Sequence, residues 1–521
     1  MTKRLIRFFN TTGPCNPDDH YMLPPAERLQ GAQLHRYVKD NLYWMLHAPR
    51  QTGKTTFLQS WMKEINAGSE AVACYVSVER CQGMAEIDAA MPNLCKAITF
   101  YAKEAKLPVP DMPEREDGSM LSDILSNWAA IVAPKPLVVL FDETDVLEGD
   151  TLISFLRQLR GGFATRGIGK FPTSIALVGM RDLKDNIGIA KDGKPVNPGS
   201  PFNIKSDSAV IGNFSREHIA QLFAQHTEET GQQITQEALD YVWEQSKGQP
   251  WIVNSLFQRA TMRVLDYENY QTVNVEHLRQ AREQMILARE THIESLAFRL
   301  TDPNIRYVIE KLLTGEYASN LLNSDTFRQC LDLGLVSVND SEIGVANPIY
   351  REVLAREISY NDQMMMPKPT FRWQNPDGSL DMDSLLKEFQ KFWRKHSEVW
   401  ESKSDYTEAF PHLLLMAFLQ RITNGEGRID REYAAGRGRL DLFIEYAKQS
   451  YIIEVKLVHD YDSVKSVQEE GIEQILSYRD KFDKNIPCYL VIFDRRSDDK
   501  KLPWEQRITW NAEGNVTVVG C

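Results

Sequence analysis

The chain reads as a multidomain α/β protein: a parallel-sheet domain, a mostly helical stretch, and a second, smaller α/β domain near the C-terminal end. Up to residue 213, short and strongly apolar runs alternate with helix-length amphipathic stretches, the signature of βαβ units. From residue 214 the pattern turns mostly helical, and a turn-rich, aperiodic stretch at 361–384 separates the C-terminal domain from the rest. With 521 residues, the chain is long enough for three or four domains of about 150 residues each.

The elements can be taken in chain order. Tyr43 to Leu46 is a short apolar run, and APRQTGKTTFLQSWMKEI after it reads as a loop entering a helix. VACYVSVE, ending at Glu79, reads as a buried strand, a helical stretch comes next around 84–104, and a polar, proline-bearing loop spans 107–118. PLVVLFD, ending at Asp142, suits the middle of a parallel sheet, and Ser174 to Gly179, SIALVG, is a second central strand after helix-like sequence at 150–164. Ser215 opens a capping-box-like SREH segment, and TQEALDYVWEQSKG ends at Gly248 with Pro250 behind it, a helix stop and restart. Thr326 onward reads as helix, short hairpin, helix, the shape of a winged-helix module. The expected boundaries are 1–213, 214–315 (helical lid), 316–360 (winged-helix-like module), 361–384 (linker) and 385–521.

Composition bounds the function. At 42% hydrophobic and 25% charged the chain is ordinary for a globular protein, and its Gly and Pro content excludes a collagen-like or low-complexity one. A net charge of −12 weighs against a nucleic-acid coat protein and leaves room for a local basic groove. Residues 381–521 hold 21 basic and 25 acidic side chains, nearer neutrality and more compatible with a DNA-facing domain. Seven scattered cysteines without a C-x-x-C pair fit neither a disulfide framework nor a zinc site. The basic start breaks into a Gly-Pro turn before a signal-like core forms, and no run of 18 apolar residues occurs. A cytoplasmic protein with no membrane span is expected.

Two constellations carry chemistry. The first is Ala48-Pro49-Arg50-Gln51-Thr52-Gly53-Lys54-Thr55, followed by Thr56, which departs from the phosphate-loop pattern G-x-x-x-x-G-K-[ST] only by Ala in the first place. That chemistry needs a tight turn whose amides face phosphate, a lysine for the outer phosphate oxygens, and a hydroxyl for Mg²⁺; Gly53, Lys54 and Thr55 supply them at a helix N-terminus. Asp142 and Glu143 close a buried strand further on, where Asp142 can hold the Mg²⁺ shell and Glu143 can polarise the attacking water. A chance glycine-lysine loop is the bland reading, and the strand-terminal Asp-Glu pair argues against it.

Here the sequence resembles P-loop ATPases of the AAA+/STAND type, specifically bacterial AAA-like ATPases with a restriction-endonuclease-like tail. FNTTGPCNPDDHYMLPPAERL looks like that group's entry segment, GMRDL its sensor region and KGQPWIVN its Gly-x-Pro element. ANPIYREV is similar to the closing segment of its winged-helix domain. The resemblance implies Arg181 as a γ-phosphate sensor and Pro250 near the nucleotide, with Arg181 as a structural ion-pair arginine equally open. It also implies an arginine supplied between subunits, for which Arg160 or Arg166 would serve, and self-association through the ATPase domain.

The second constellation lies in the tail. GRGRLDLFIEY places Asp441 on one strand and SYIIEVKLV places Glu454 and Lys456 on the next, with Asp441 and Glu454 13 residues apart across a YAKQS turn. Period-2 geometry projects Glu454 and Lys456 from one face and Val455 from the other. Carboxylates gathered around Mg²⁺ or Mn²⁺ with a lysine beside them hydrolyse phosphodiesters. A charged amphipathic strand produces D…E-x-K by accident, but charges set among β-branched core residues are seldom placed without a use. The tail resembles the PD-(D/E)XK nuclease superfamily over about 385–500, and Asp441, Glu454 and Lys456 occupy its motif places. By that resemblance Glu408 is the acidic residue of the first helix, and Gln474 and Tyr478 are the Q-x-x-x-Y pair, one helical turn apart. Arg428, Arg431, Arg437 and Arg439 could grip phosphates flanking the scissile one.

His20 and Tyr21 are read as packing residues, and Phe392, Trp393 and Trp400 as the inner face of a helix. Taken together, the two sites lead to an expected ATP-binding and ATP-hydrolysing protein that controls a metal-dependent DNA endonuclease domain. Its cofactors would be ATP and Mg²⁺, with Mn²⁺ an alternative in the tail, its partner DNA, and its trigger unknown. Defence against phage or plasmid DNA is what the resemblance implies. Three alternatives stay open: an ATP-dependent nucleic-acid-binding switch with an inactive tail, a mobile-element or replication ATPase, and a scaffold that binds nucleotide for stability alone.

Overall fold

The computed structural model describes residues 7–30, 33–84, 86–114, 118–180, 205–268, 271–288, 290–313, 319–339, 342–358, 373–401, 411, 414–416, 418–419, 427–435, 438–446, 449–479, 485–494, 496 and 500–521. The chain divides into two compact units: Met1–Ser295 with Ser319–Tyr350, and Leu296–Ala318 with Arg351–Cys521.

The first unit is built on a six-stranded sheet. Its strands in chain order are β1 (Leu29–Gln30), β2 (Tyr43–His47), β3 (Val72–Ser77), β4 (Leu137–Asp142), β5 (Ser174–Gly179) and β6 (Lys205–Ile211). Across the sheet they lie in the order β1-β6-β2-β5-β4-β3. All neighbours are parallel except the short β1, which pairs antiparallel with β6 at the edge. The expected apolar runs are these central strands, apolar throughout because both faces are covered. Val139 and Phe141 face a core shared with Leu94, Ile98, Trp128 and Phe155. Val138 and Leu140 face the opposite core, with Phe57, Leu58 and Trp61 of the helix Lys54–Ala67. Each such large side chain contributes about 1.5–3 kcal/mol on burial.

The chain leaves β2, runs through the helix Lys54–Ala67 on one face and places β3 at the far edge; β4 and then β5 fill the gap. The helices Ile87–Glu104, Met120–Val132 and Gly149–Phe163 cover the other face. A crevice opens beyond the C-terminal ends of strands at such a change of side. The loop after β2 and the end of β4 therefore meet there.

β6 is not among the strands that the apolar pattern predicts. After it come the helices Arg216–Thr230, Gln236–Ser246, Pro250–Arg259 and Val275–Leu287. Ser215 forms the expected capping box with His218 in the place of the usual Glu: its hydroxyl accepts from the His218 amide, while His218 Nδ1 accepts from the Ser215 amide. Pro250 takes the first turn of its helix, where its missing N–H costs nothing. Phe9 and Tyr21 pack with Phe223, His226 and Phe257, and His20 stands edge-on to Phe8 at 4.7 Å, so these residues do pack. Three further helices, Thr291–Arg299, Pro303–Leu313 and Ser319–Leu322, precede helix Asp325–Asp332, the hairpin β7 (Val336–Asn339) and β8 (Glu342–Val345), and helix Pro348–Ile358, which follow in the expected helix–hairpin–helix order.

In the second unit, β9 (Gly427–Ala435), β10 (Gly438–Tyr446) and β11 (Gln449–Val458) form an antiparallel meander. The helix Val464–Arg479 then crosses to β12 (Cys488–Asp494), parallel to β11. Two strands complete the sheet: β13 (Trp510–Glu513) lies antiparallel at the edge, and β14 (Val516–Gly520) extends the parallel part beside β12. The helix Met382–Glu401 starts inside the stretch read as a linker, and it buries Leu385, Phe389, Phe392 and Trp393, as the inner-face reading requires. Residues 361–372 and the side chain of Trp400 lie outside the described residues.

Gly162 gives a test of packing against propensity. It lies in the helix Gly149–Phe163, where a Cβ would stand 2.2 Å from the Phe171 ring. Helix propensity alone favours Gly162→Ala by roughly 0.5–1 kcal/mol. Overpacking reverses the sign, and denaturant unfolding should show a loss of about 1–3 kcal/mol.

Candidate functional site

The loop after β2 builds the first site. Ala48 is buried, and its amide donates to the Gly179 carbonyl at the end of β5, 3.3 Å away. Gln51 and Gly53 take positive φ, +56° and +95°, whereas Ala48 is not among the positive-φ residues. The missing glycine thus removes nothing the backbone uses, while Gly53 stands in the region that penalises any Cβ. Thr52 Oγ1 donates to the Pro49 carbonyl at 2.9 Å and closes the turn.

Lys54 opens the following helix and folds back over the loop, its Nζ donating to the carbonyls of Ala48 at 2.7 Å and Pro49 at 2.9 Å. Burial pulls its pKa down to about 8; Asp142, Asp145 and Glu143 pull the other way, and nearby Arg50 adds to the depression. Thr55 Oγ1 donates to Asp142 Oδ2 at 2.7 Å, which joins this helix to the end of β4. Thr56 Oγ1 accepts the Cys15 amide at 3.0 Å, which ties the entry segment to the same turn.

Asp142 is buried, and it also accepts from the Tyr75 hydroxyl at 3.2 Å and the Glu143 amide at 3.0 Å. Desolvation raises its pKa, and that of Glu143, above the usual carboxylate range. Glu143 holds φ +61°, a strained conformation for a residue with a Cβ, and such strain collects at functional sites. Ser77, paired with Asp142 across β3 and β4, donates to Glu143 Oε2 at 2.8 Å. The loop turn, the answered lysine and the Thr55–Asp142 bond together fit a polyphosphate with a divalent cation.

Other contacts ring the loop. A Cβ on Gly334 would meet Pro49 at 2.6 Å. His292 Nε2 and the Tyr350 hydroxyl are 2.6 Å apart, and the His292 pKa falls to about 3, from burial first and then Arg50. Pro250 connects to the loop indirectly: Gly248 accepts from the Phe214 amide at 2.8 Å, and Phe214 lies under Arg28, which holds the Thr52 carbonyl. Arg166 is engaged within its own chain, donating to the Asn41 and Phe163 carbonyls, while Arg160 is exposed on its helix. Arg181 lies outside the described residues.

In the tail, β11 holds Glu454 only 1% exposed, and Lys456 Nζ stands 3.8 Å from its Oε1. The pair shares one face, as the alternation of the strand requires. Gly471 lets the helix Val464–Arg479 approach closely, since a Cβ there would stand 2.6 Å from Leu490 and 3.3 Å from Lys456. Gln474 can then accept from Lys456 Nζ at 2.7 Å while its own amide donates to the Tyr478 hydroxyl at 3.2 Å. Glu470 adds a contact to Lys456 at 3.3 Å. Leu442 of β10 pairs with Ile453 of β11. Continuing that register brings Asp441 and Glu454 to neighbouring places on adjacent strands. The side chains of Asp441, Arg428, Arg431 and Arg439, and residues Glu408 and Arg437, lie outside the described residues. Among the described residues no group of three or more His, Cys, Asp or Glu gathers as a metal site, and of the expected tail ligands Glu408, Asp441 and Glu454 it is Glu454 whose side-chain setting is described.

Sequence reasoning missed Arg28, Tyr75, Ser77, Asp145 and Glu470. Strand order would have found Ser77 and Tyr75, because β3 lies beside β4 and brings its end to Asp142. Helical spacing would have found Glu470, one turn before Gln474.

A family model described as the PD-(D/E)XK nuclease superfamily matches residues 406–498. No curated protein matches the chain. Among solved structures, the chain is similar to the Walker-type ATPase PABY2304 of Pyrococcus abyssi, with 12% identity, 66% of this chain and 99% of that chain covered, and a TM-score of 0.46. Cdc6p from Pyrobaculum aerophilum matches at 13% identity over 61% of this chain and 88% of its own, with a TM-score of 0.33. The Thermotoga maritima RuvB Holliday junction branch migration motor matches at 13% identity over 61% and 90%, with a TM-score of 0.31. No helix among the described residues is long and apolar enough to cross a membrane. Residues 406–498 accordingly hold a PD-(D/E)XK-like nuclease domain.

Proposed function

We propose that the chain binds and hydrolyses ATP and thereby controls a metal-dependent DNA endonuclease domain. The observation that carries the nucleotide half is the Thr55–Asp142 hydrogen bond of 2.7 Å beneath a turn whose Lys54 is answered by backbone carbonyls. An arriving triphosphate replaces those carbonyls as partners of Lys54, and Glu143, fixed by Ser77, is placed to orient a water. The nuclease half is supported by the family match and by Lys456, set between Glu454 and Gln474. Thr55 and Asp142 would hold a divalent cation beside ATP, and Asp441, Glu454 and Glu408 would hold one in the tail. Such a cation supplies positive charge at phosphate oxygens and a water of lowered pKa. Lys456 adds a fixed positive charge at the reacting phosphate, and Arg437 and Arg439 grip neighbouring phosphates. The helix–hairpin–helix segment belongs to a winged-helix module, Arg181 and Pro250 attend the nucleotide, and the ATPase region self-associates. A role against foreign DNA fits a nuclease held under nucleotide control.

Cleavage tests the nuclease half. With Mg²⁺ or Mn²⁺, the purified chain should cut supercoiled plasmid or linear DNA, and Asp441→Ala with Lys456→Ala should lower the rate on the order of 10²–10³-fold. Running the same reaction with and without ATP reads the control. If neither DNA is cut under any metal or nucleotide condition, the tail is a binding module and the switch reading takes over.

The nucleotide half has a pH signature. Free Lys54 titrates near pH 8, and a bound triphosphate raises that value, so binding takes up a proton above it. Affinity for ATP should be insensitive to this group below pH 8 and fall by up to about tenfold per unit above it. Calorimetry at pH 9 in two buffers of different ionisation enthalpy measures the proton uptake. Flat affinity up to that pH, with no uptake, would mean that Lys54 is already fully protonated before the nucleotide arrives.

A further inference from the structure

Arg28 ends the short 3-10 helix Pro25–Arg28 and is only 8% exposed. Its Nη1 donates to two carbonyls, Thr52 in the phosphate-type loop and Gly212 just after β6, both at 2.8 Å. Its Nη2 would stand 2.8 Å from a Cβ on Gly53, and its Nε has no hydrogen-bond partner among the described residues. The guanidinium lies over the Phe214 ring, 4.8 Å from its centroid. No carboxylate pairs with it among the described residues, and desolvation pulls its pKa down to about 10. A buried cation without an anion is costly, and here it is retained against two separate segments of the chain, 52–53 and 212–214.

The geometry at Thr52 gives that cation a use. In a trans peptide the C=O and the following N–H point in opposite directions. Holding the Thr52 carbonyl against Arg28 therefore aims the Gly53 amide the other way, away from Arg28. A loop that binds phosphate through its amides depends on this orientation. On its other side, Arg28 reaches the joint before the helix Pro250–Arg259. Phe214 donates its amide to the Gly248 carbonyl at 2.8 Å, and Asn213 Nδ2 donates to the Lys247 carbonyl at 3.2 Å. Gly248 holds φ +77°, and a Cβ there would fall 2.0 Å from the Phe214 carbonyl oxygen, so the joint is closed against Phe214.

We propose that Arg28 is a positioning residue that fixes the Thr52–Gly53 peptide for phosphate and links the loop, through Phe214, to the Gly248 joint of the helical region. The inference rests on the nucleotide reading of this loop. Arg28 acts through the Thr52 carbonyl; Lys54 and Thr55 do the binding.

The test compares the full-length chain with Arg28→Met, Arg28→Lys and Phe214→Leu. Three quantities are measured: ATP affinity by calorimetry, the melting temperature without nucleotide, and ATP-dependent protection of the Lys247 bond from trypsin. Arg28→Met should weaken ATP binding by about tenfold or more, the effect of losing hydrogen bonds from a charged donor. Arg28→Lys should recover part of the affinity, because one ammonium can still reach one of the two carbonyls. Phe214→Leu should weaken binding less than Arg28→Met and still abolish the protection of Lys247 at saturating ATP. If Arg28→Met lowers the melting temperature but binds ATP as the parent does, the residue is structural and the inference falls. If Arg28→Met does not fold, Arg28→Lys decides: unchanged affinity and protection overturn the proposal. Failure of the unmodified chain to bind ATP sinks the nucleotide reading itself, a separate result from any difference among the variants.

Discussion

The first unit depends on how one half-buried lysine is answered. Lys54 sits at the start of a helix, beside the positive end of that helix's dipole and near Arg50, and loses its hydration on burial. Two carbonyls of its own loop and the carboxylates at the end of β4 hold it there. Those carboxylates can approach only because β5 and β4 lie beside β2 on one flank while the connection to β3 passes over the sheet. Sheet order, the left-handed turn at Gly53 and the buried Asp142 are thus one constraint seen at three levels. Each would be costly without the others.

That dependence explains how much was legible in the sequence. Runs such as LVVLFD and SIALVG announce central strands because a strand covered on both faces has no reason to alternate. The strand end at Asp142 and the turn at Gly53 before the helix could be read from local sequence, since an apolar run stopping at charged residues and a glycine ahead of an amphipathic stretch are both short-range signals. β6 could not: KSDSAVI carries polar residues in most of its first half, and its partner β2 lies far back in the chain. β1 is two residues long and carries no period at all. Arg28 was hidden for the same reason, because its contacts lie 24 and 184 residues away. Periodicity reports local structure, and these features exist only after the sheet has closed.

The tail was legible where its spacing is short range. A period of 2 on β11 and a one-turn repeat on the following helix were enough to align Glu454, Lys456, Gln474 and Tyr478. What spacing could not show is the close approach of that helix to the strand. Gly471 sets it, and a glycine inside an amphipathic helix reads in sequence as a weakness. In the fold it is the reason Gln474 can reach the lysine.

The two lysines make an instructive pair. Lys54 is held by backbone carbonyls, which cannot leave without reshaping the loop. Lys456 is held by one neutral side chain and two carboxylates of very different exposure: Glu454 at 1% and Glu470 at 71% of the side chain. An exposed ion pair is screened by water and contributes little, so the Glu470 contact is the cheapest to break. The Gln474 hydrogen bond is shorter and partly shielded, and it keeps the ammonium oriented when Glu470 swings away. An anion approaching Lys456 from solvent would therefore displace Glu470 first and find the lysine still aimed by Gln474. Orientation and charge are carried by different residues, and this division lets the site exchange a partner without losing its geometry.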